Sequence, residues 1–337
     1  MHNIKDSRIH VVLSQSGTYR DIVQPIISGG ASLHVLDNGN DLGRNQFRKK
    51  WGIILSMFSF RLLQLRYSWH LNDRVLLVGW QAIPILGMIK LGLIKRPKKI
   101  LVMGCFVHDH TIRYIINKLL WAMRFKGLGF ITFSQGESEN LIKNVGILPS
   151  EVYFHLWRQD LDGKLPSEDI IEGDYVFSGG YSNRDYGLLI SSMHCIETQL
   201  IIAASSRNQI KKTHDTSIKI YRDINESVFE KLLAQSKLVV LPLYNKGEAC
   251  GQSVLLRVLR NGKPLIVTRH ESVENYLGTD YPGFVKAGDR YALQKMIQHA
   301  LCDSQYRNEL SLAISKAAKL LEKRDSPANE ILGFMLN

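Results

Sequence analysis

The chain has 337 residues, 45% of them hydrophobic and 22% charged. That balance excludes a disordered, collagen-like or coiled-coil protein and, at roughly 150 residues per domain, predicts about two domains. The formal net charge is +12, but the stretch 42–136 holds sixteen Lys and Arg against two acids, Asp73 and Asp109, an excess of +14 that leaves the rest of the chain at −2; such asymmetry points to an anionic partner of the first half, whether a membrane surface, a nucleic acid or a phosphorylated substrate.

The opening residues, Met1 to Asp6, are polar and do not read as a secretory leader. In the first half, strands are predicted over 8–14, 32–36, 75–78, 99–103, 130–133 and 152–156, with helical patterns between them, notably over 111–125 and 138–145. The longest uncharged apolar run, 75–89, is 15 residues interrupted by Gln81 and Pro84. A membrane-spanning helix needs about 20, so this run reads as a buried strand, a turn and the start of a helix.

The second half repeats the logic. Strands are predicted over 174–177, 199–203, 218–221, 238–241 and 265–267, with helices over 186–193, 226–235 and 254–260 and a helical pattern from Tyr291 onward. Short apolar runs alternating with helices imply βαβ units and parallel sheets. Between the halves, 159–168 is polar and turn-rich, as a linker is. The expected division is a first domain over 1–158, a linker over 159–169, a second domain over 170–325 and a tail over 326–337. Four cysteines, at 105, 195, 250 and 302, stand far apart with no CxxC pair. That spacing excludes a disulfide scaffold or short-spaced zinc site and predicts buried, reduced thiols in a cytoplasmic protein.

Two turns carry candidate chemistry. Ser178-Gly179-Gly180-Tyr181-Ser182-Asn183-Arg184 follows a strand and precedes a helix. Glycines there let backbone approach a ligand, the helix start offers N–H groups to an anion, and Arg184 could add a charge-assisted contact to a phosphate; an ordinary tight turn is the plain alternative. The second turn is the sharper signal. Glu248-Ala249-Cys250-Gly251-Gln252-Ser253 opens an apolar helix that stops at Gly262 and passes through Pro264 into a strand. Gly251, Gln252 and Ser253 present N–H groups at the helix start. Glu248 could accept hydrogen bonds from sugar hydroxyls, and Arg257 lies one turn beyond Ser253 on the same face.

The stretch 246–268 resembles the nucleotide-sugar signature of GT-B glycosyltransferases of the family-four-like group 1, in which an acid-x-x-Gly turn, an apolar helix and a Gly-Lys/Leu-Pro-Val-Ile strand contact the donor. Val240-Leu241-Pro242-Leu243 is similar to the strand before that turn, and Gly179-Gly180 with Arg184 to the family's diphosphate loop. Thr268 to Tyr276 is similar to the loop after the family's following strand. The resemblance is clear over 174–290 and looser over 8–157.

It implies an α/β fold of the GT-B kind: two Rossmann-like doubly wound domains facing a central cleft, with C-terminal helices returning toward the first domain. The implied donor-binding residues are Gly17 (in a first-domain loop that closes on the donor phosphates), Gly179, Gly180, Arg184, Gly251, Gln252, Ser253 and Arg257, with Glu248 and His108 as catalytic candidates. His108 follows a strand, where the resembling enzymes place a histidine near the transferred sugar; a loop histidine capping the next helix is the alternative. Ser134 to Asn140 also resembles a family helix start, but capping by Ser134 or Ser138 suffices to explain it. One departure stands out: the family carries a second glutamate at the position of Leu256, followed here by Arg257. Either Arg257 contacts the nucleotide, or donor binding is altered or lost.

The segment 44–69 is apolar on two sides at helical spacing and is flanked by Arg44, Arg48, Lys49, Lys50, Arg61 and Arg66. A domain helix needs one apolar stripe; the second either packs on a neighbouring loop or enters an anionic bilayer. Arg48, Lys49, Lys50 and Trp51 are the membrane or acceptor candidates. The resulting reading is a hexosyltransferase-type enzyme that moves a sugar from a nucleoside-diphosphate sugar to a saccharide or lipid-linked acceptor. Bacterial surface-polysaccharide assembly, at the inner face of the cell membrane, is the expected setting. No DxD motif is evident, so no metal and no cofactor beyond the donor is expected, and no nucleic-acid partner. The rival readings are a non-catalytic relative of the same fold, a nucleotide-sugar epimerase, and a nucleic-acid-binding protein using the basic first half.

Overall fold

The computed structural model describes residues 8–13, 20–36, 65–79, 81–104, 110–157, 172–211, 215–244 and 250–336. The chain divides into two compact units, Met1–His155 with Asp325–Asn337, and Leu156–Arg324.

The first unit is built on strands β1 (Ile9–Leu13), β2 (Ser32–Val35), β3 (Arg74–Val78), β4 (Lys99–Met103), β5 (Leu128–Thr132) and β6 (Val152–Phe154), all parallel, in the order β2-β1-β3-β4-β5-β6. Helices α1 (Arg20–Ser28), α2 (Ala82–Lys90), α3 (His110–Met123) and α4 (Gln135–Asn140) lie between them in sequence. Parallel strands covered on both faces read as continuous apolar runs, and β3 and β4 each bury four of five residues. On one side Val75, Leu77, Ile100, Val102 and Phe130 pack with Ile85 and Ile89 of α2, Ile116 and Leu120 of α3, and Trp69. Ser134 caps α4 by accepting the Glu137 N–H, and the Glu137 carboxylate accepts the Phe133 N–H in return. The helix continues past Asn140 as a π-helical turn over Leu141–Val145. Most of the segment expected to form a two-sided apolar helix lies outside the described residues.

The second unit contains β7 (Tyr175–Gly179), β8 (Gln199–Ala204), β9 (Ile218–Arg222), β10 (Leu238–Leu241), β11 (Leu265–Thr268) and β12 (Phe284–Val285), again all parallel, in the order β12-β11-β10-β7-β8-β9. Its helices are α5 (Tyr186–Ser192), α6 (Glu226–Gln235), α7 (Gln252–Asn261), α8 (Glu271–Leu277), α9 (Arg290–Cys302) and α10 (Ser304–Glu322). Counted from β7, this is the 3-2-1-4-5-6 order of a doubly wound sheet, and the winding reverses between β7 and β10. Ligands of such sheets bind at the carboxyl ends of the strands beside that switch point. The stretch 271–277, expected as loop, is helical because His270 caps it. The short strand β12 was not expected. Cys195 and Cys302 are exposed and only Cys250 is buried among the described cysteines, which corrects the expectation of buried thiols.

Helix α11 (Pro327–Leu336) belongs to the first unit and covers the region expected as a tail. It buries Ala328, Ile331 and Met335. Its Met335 carbonyl accepts the Arg74 Nε–H at 2.8 Å, its Glu330 carboxylate lies 2.5 Å from His155 Nδ1, and its Phe334 ring stacks on Tyr153 at 4.8 Å.

Candidate functional site

The carboxyl ends of β7 and β10 are tied together. Arg184 and Leu243 form an antiparallel bridge, the Asp185 N–H donates to the Pro242 carbonyl at 3.0 Å, and the Asn183 side-chain amide donates to the Tyr244 carbonyl at 3.0 Å. Asn183 adopts the left-handed conformation (φ 54°) that this tight return requires. Leu241 and Leu243 fix the other side: Gly251 sits at φ 82°, and a β-carbon there would stand 3.2 Å from both leucines.

Beside these loops lies a cavity of about 380 Å³ within the second unit. Its walls are Gly180, Tyr181, Ser182 and Arg184 after β7; Ile224, Glu226 and Phe229 at the start of α6; Cys250, Gly251, Gln252, Ser253, Val254 and Arg257 at the start of α7; and Trp157. Five donor-binding candidates named from sequence therefore line one cavity together with Arg257: Gly180, Arg184, Gly251, Gln252 and Ser253. Gly179 lies just behind, where a β-carbon would meet the Phe229 ring at 2.4 Å. Its lack of a side chain is a packing requirement. Gly180 (φ 119°) has a different reason: a β-carbon would meet Arg184 Nη2 at 2.3 Å. The glycine makes room for the arginine. Glu248, His108, Gly17, Arg48, Lys49, Lys50 and Trp51 lie outside the described residues.

Arg184 is the unusual group. It is 6% exposed. Its Nε donates to the Gly179 carbonyl at 3.0 Å and its Nη1 to the Ser182 carbonyl at 2.6 Å. Among the described residues it has no carboxylate partner. Burial pushes its pKa below the ordinary guanidinium value, against opposing contributions from Tyr186 and Cys250. A guanidinium does not shed its proton at neutral pH, so the cation remains, without a counter-charge among the described residues. An anion entering the cavity would supply it. Arg184 also borders a second, polar cavity of about 270 Å³ with Arg207, Asn208 and Tyr244.

The start of α7 adds donors. Gly251 offers no side-chain cap, so the first-turn N–H groups point out of the helix with the positive end of its dipole. The preceding backbone is held by Ser272, whose hydroxyl donates to the Cys250 carbonyl at 2.8 Å and accepts the Cys250 N–H at 3.3 Å. Ser272 is in turn held by His270, whose Nδ1 accepts the Ser272 N–H at 3.2 Å and stands 2.8 Å from its hydroxyl. Burial lowers the His270 pKa, opposed by Glu271 and Glu274.

Leu256, where a second acid was expected by resemblance, is 2% exposed and faces the core. Arg257 lines the cavity with its charge already engaged. Its Nη2 is 2.5 Å from Glu226 Oε1, its Nε is at ion-pair distance, 3.2 Å, from Glu230 Oε1, and its guanidinium carbon lies 4.8 Å from the Phe229 ring centroid. Arg260 shares Glu230 at 2.6 Å. Glu226, Phe229, Tyr181 and Trp157 are wall residues that sequence reasoning missed. Glu226 follows the cap Asn225 and looks like any acid in a first helical turn; only the packing of α6 on α7 brings it here. Among the described residues no group of three or more His, Cys, Asp or Glu could hold a metal ion, and no helix is long and apolar enough to cross a membrane.

No family model matches the sequence, and no curated protein matches it. Solved structures do match. An α,α-trehalose-phosphate synthase (UDP-forming) from Burkholderia vietnamiensis is similar over 98% of this chain and 100% of its own, with TM-score 0.69 and 11% identity. A trehalose-6-phosphate enzyme from E. coli bound with UDP-2-fluoro glucose is similar over 97% of this chain and 98% of its own, with TM-score 0.66 and 10% identity. A glycosyltransferase from Rickettsia africae is similar over 98% and 97%, with TM-score 0.61 and 13% identity. At these identities the likeness establishes the architecture: two Rossmann-like α/β units of the GT-B kind.

Proposed function

We propose that this chain is a glycosyltransferase that takes a sugar from a nucleoside-diphosphate sugar and passes it to a saccharide or lipid-linked acceptor, releasing the nucleoside diphosphate. One observation carries the reading: a buried arginine with no carboxylate partner among the described residues and the start of α7, where Gly251 gives no side-chain cap, share a cavity at the switch point of a doubly wound sheet. A diphosphate is the anion that suits both. As the glycosidic bond to the leaving phosphate breaks, negative charge grows on that phosphate, and Arg184 with the N–H groups of Gln252 and Ser253 is positioned to stabilise it. The Glu226–Arg257 pair forms the far wall, where a carboxylate can accept from nucleoside hydroxyls. Glu248 is the candidate contact to the transferred sugar and His108 the candidate beside it.

The first unit, with Arg48, Lys49, Lys50 and Trp51 in its basic region, is assigned to the acceptor, and the setting to the cytoplasmic face of a cell membrane in surface-polysaccharide assembly. The neighbouring folds include UDP-forming enzymes, which makes uridine diphosphate the first nucleotide to try. The test is a thermal-shift panel of uridine, guanosine and thymidine diphosphate sugars, followed by titration with the best of them. A ligand that binds only the folded state raises the melting temperature. Glu248→Ala should then abolish transfer while binding of the free nucleoside diphosphate persists. If no nucleotide sugar shifts the melting temperature, the reading fails.

A further inference from the structure

Helix α3 is apolar on the wrong side. Its inward face, Ile116, Leu120 and Met123, is buried in the first unit's core, yet Tyr114 (61%), Ile115 (53%), Leu119 (44%) and Trp121 (55%) are exposed. At 3.6 residues per turn these four, with Lys118 and Ala122, fall within one outward arc of about 160°. A helix covering a sheet ordinarily keeps that arc polar.

The cations around the arc are arranged with the rings. Lys118 Nζ lies 4.6 Å from the Tyr114 ring centroid, and the Arg124 guanidinium carbon lies 4.9 Å from that of Trp121. Arg96 lies 5.4 Å from the Phe125 ring, which brings the turn between α2 and β4, with its exposed Leu91 and Leu93, beside the end of α3. From 110 to 133 the sequence contains no Asp or Glu. Aromatic and aliphatic side chains projecting outward among Lys and Arg form the surface of an interfacial helix, whose apolar groups enter the acyl boundary while cations remain at the phosphates.

Charge decides among occupants. A second copy meeting this face across a two-fold axis would set basic against basic. The chain's own segment 44–66 carries six Lys and Arg and no acid, so covering α3 with it would do the same. A bilayer containing anionic lipid has the opposite sign and the apolar interior that Ile115, Leu119 and Trp121 require. We propose that the outward face of α3 seats the first unit on an anionic lipid surface. This rests on the membrane-borne acceptor proposed above and names the surface that meets the membrane.

The test is co-sedimentation of the full chain with vesicles of mixed phosphatidylglycerol and phosphatidylcholine, against phosphatidylcholine alone. Wild type should pellet with the anionic vesicles and be released by high salt. Leu119→Glu with Trp121→Glu should lower partitioning roughly tenfold or more with an unchanged melting temperature. Should that pair disturb folding, Tyr114→Ser with Ile115→Ser reads the same face. Absence of wild-type binding, equal binding to neutral vesicles, or full binding by the folded variants would each overturn the proposal. Nucleotide-sugar titration of the same samples separates the two readings: wild type that titrates but does not bind anionic vesicles counts against the α3 surface alone, whereas a failed titration counts against the transferase.

Discussion

The two units share a parallel six-stranded scaffold and use their charge in opposite ways. The first holds 20 basic and 11 acidic residues, the second 23 and 20. These are balances of +9 and +3, which sum to the chain's +12. In the second unit the arginines of the cavity are individually positioned: Arg184 is buried against two carbonyls, and half-buried Arg257 lies between Glu226 and Glu230. In the first, Lys118 and Arg124 lie beside exposed aromatic rings. A buried cation selects one anion by geometry, whereas exposed cations sum into a field that any anionic surface can satisfy. The comparison is the basis for the proposed roles, small-ligand recognition in the second unit and surface recognition in the first.

The sharpest way to break that assignment is Arg184→Met. If Arg184 awaits a diphosphate, nucleotide-sugar affinity should fall by about 1.5–3 kcal/mol, the range for hydrogen bonds to charged groups. Two hydrogen bonds to carbonyls are lost but a buried charge is removed, so the ligand-free protein should stay within about 1 kcal/mol of wild type. Calorimetric titration and denaturant unfolding read the two quantities. A large stability loss with unchanged affinity would make Arg184 a structural clamp.

A second variant concerns the cavity wall. Arg257→Glu places a third carboxylate beside Glu226 and Glu230 and strips Arg257 from Phe229. The second unit should lose about 1–2 kcal/mol by denaturation, more than the ~0.5 kcal/mol of an ordinary surface change. Vesicle binding should not change, and a change there would show that the units' roles are not separable.

The smallest effect is in pH. Burial holds the His270 imidazole below its ordinary value of 6.5, so the unfolded chain binds the proton first. Its contribution to stability is complete above that value and declines as pH falls through it toward the lower folded value. His34 of the first unit shifts the same way, through burial and the neighbouring His10. Melting temperature should therefore fall on mild acidification. His270→Asn keeps a capping acceptor but removes the titration, and should shallow the slope without flattening it. His270→Ala should cost about 1 kcal/mol even at high pH, as lost caps do. Identical slopes in wild type and His270→Asn would remove His270 from the account.

Much of this was legible in the sequence because parallel strands write themselves as unbroken apolar runs. Leu238–Leu241 was read with its bounds intact as β10, and the turns after β7 and β10 announced themselves by glycine. The misses have physical causes. Histidine is an uncommon helix cap, so α8 looked like loop. Gly251 in the left-handed region lets α7 begin at Gln252, two residues before its apolar pattern does. Glu226, Phe229 and Trp157 reach the cavity only through tertiary packing, which no local pattern records. The reason for Gly180, room for the Arg184 guanidinium, likewise appears only when both are seen together.

The return of α11 to the first unit bears on how the chain is made. Arg74 waits for a carbonyl 261 residues later and His155 for a carboxylate 175 residues later. During vectorial synthesis the second unit, Leu156–Arg324, has all its residues in hand while the first, begun earlier, still lacks its closing helix. The first-made unit is thus the last completed. Contacts of such sequence separation close slowly, and the nascent first unit must keep the site for α11 open while the whole second unit emerges. A chain stopped after Arg324 should retain a cooperatively melting second unit with nucleotide-sugar affinity, beside a first unit that is protease-sensitive around Tyr153 and His155.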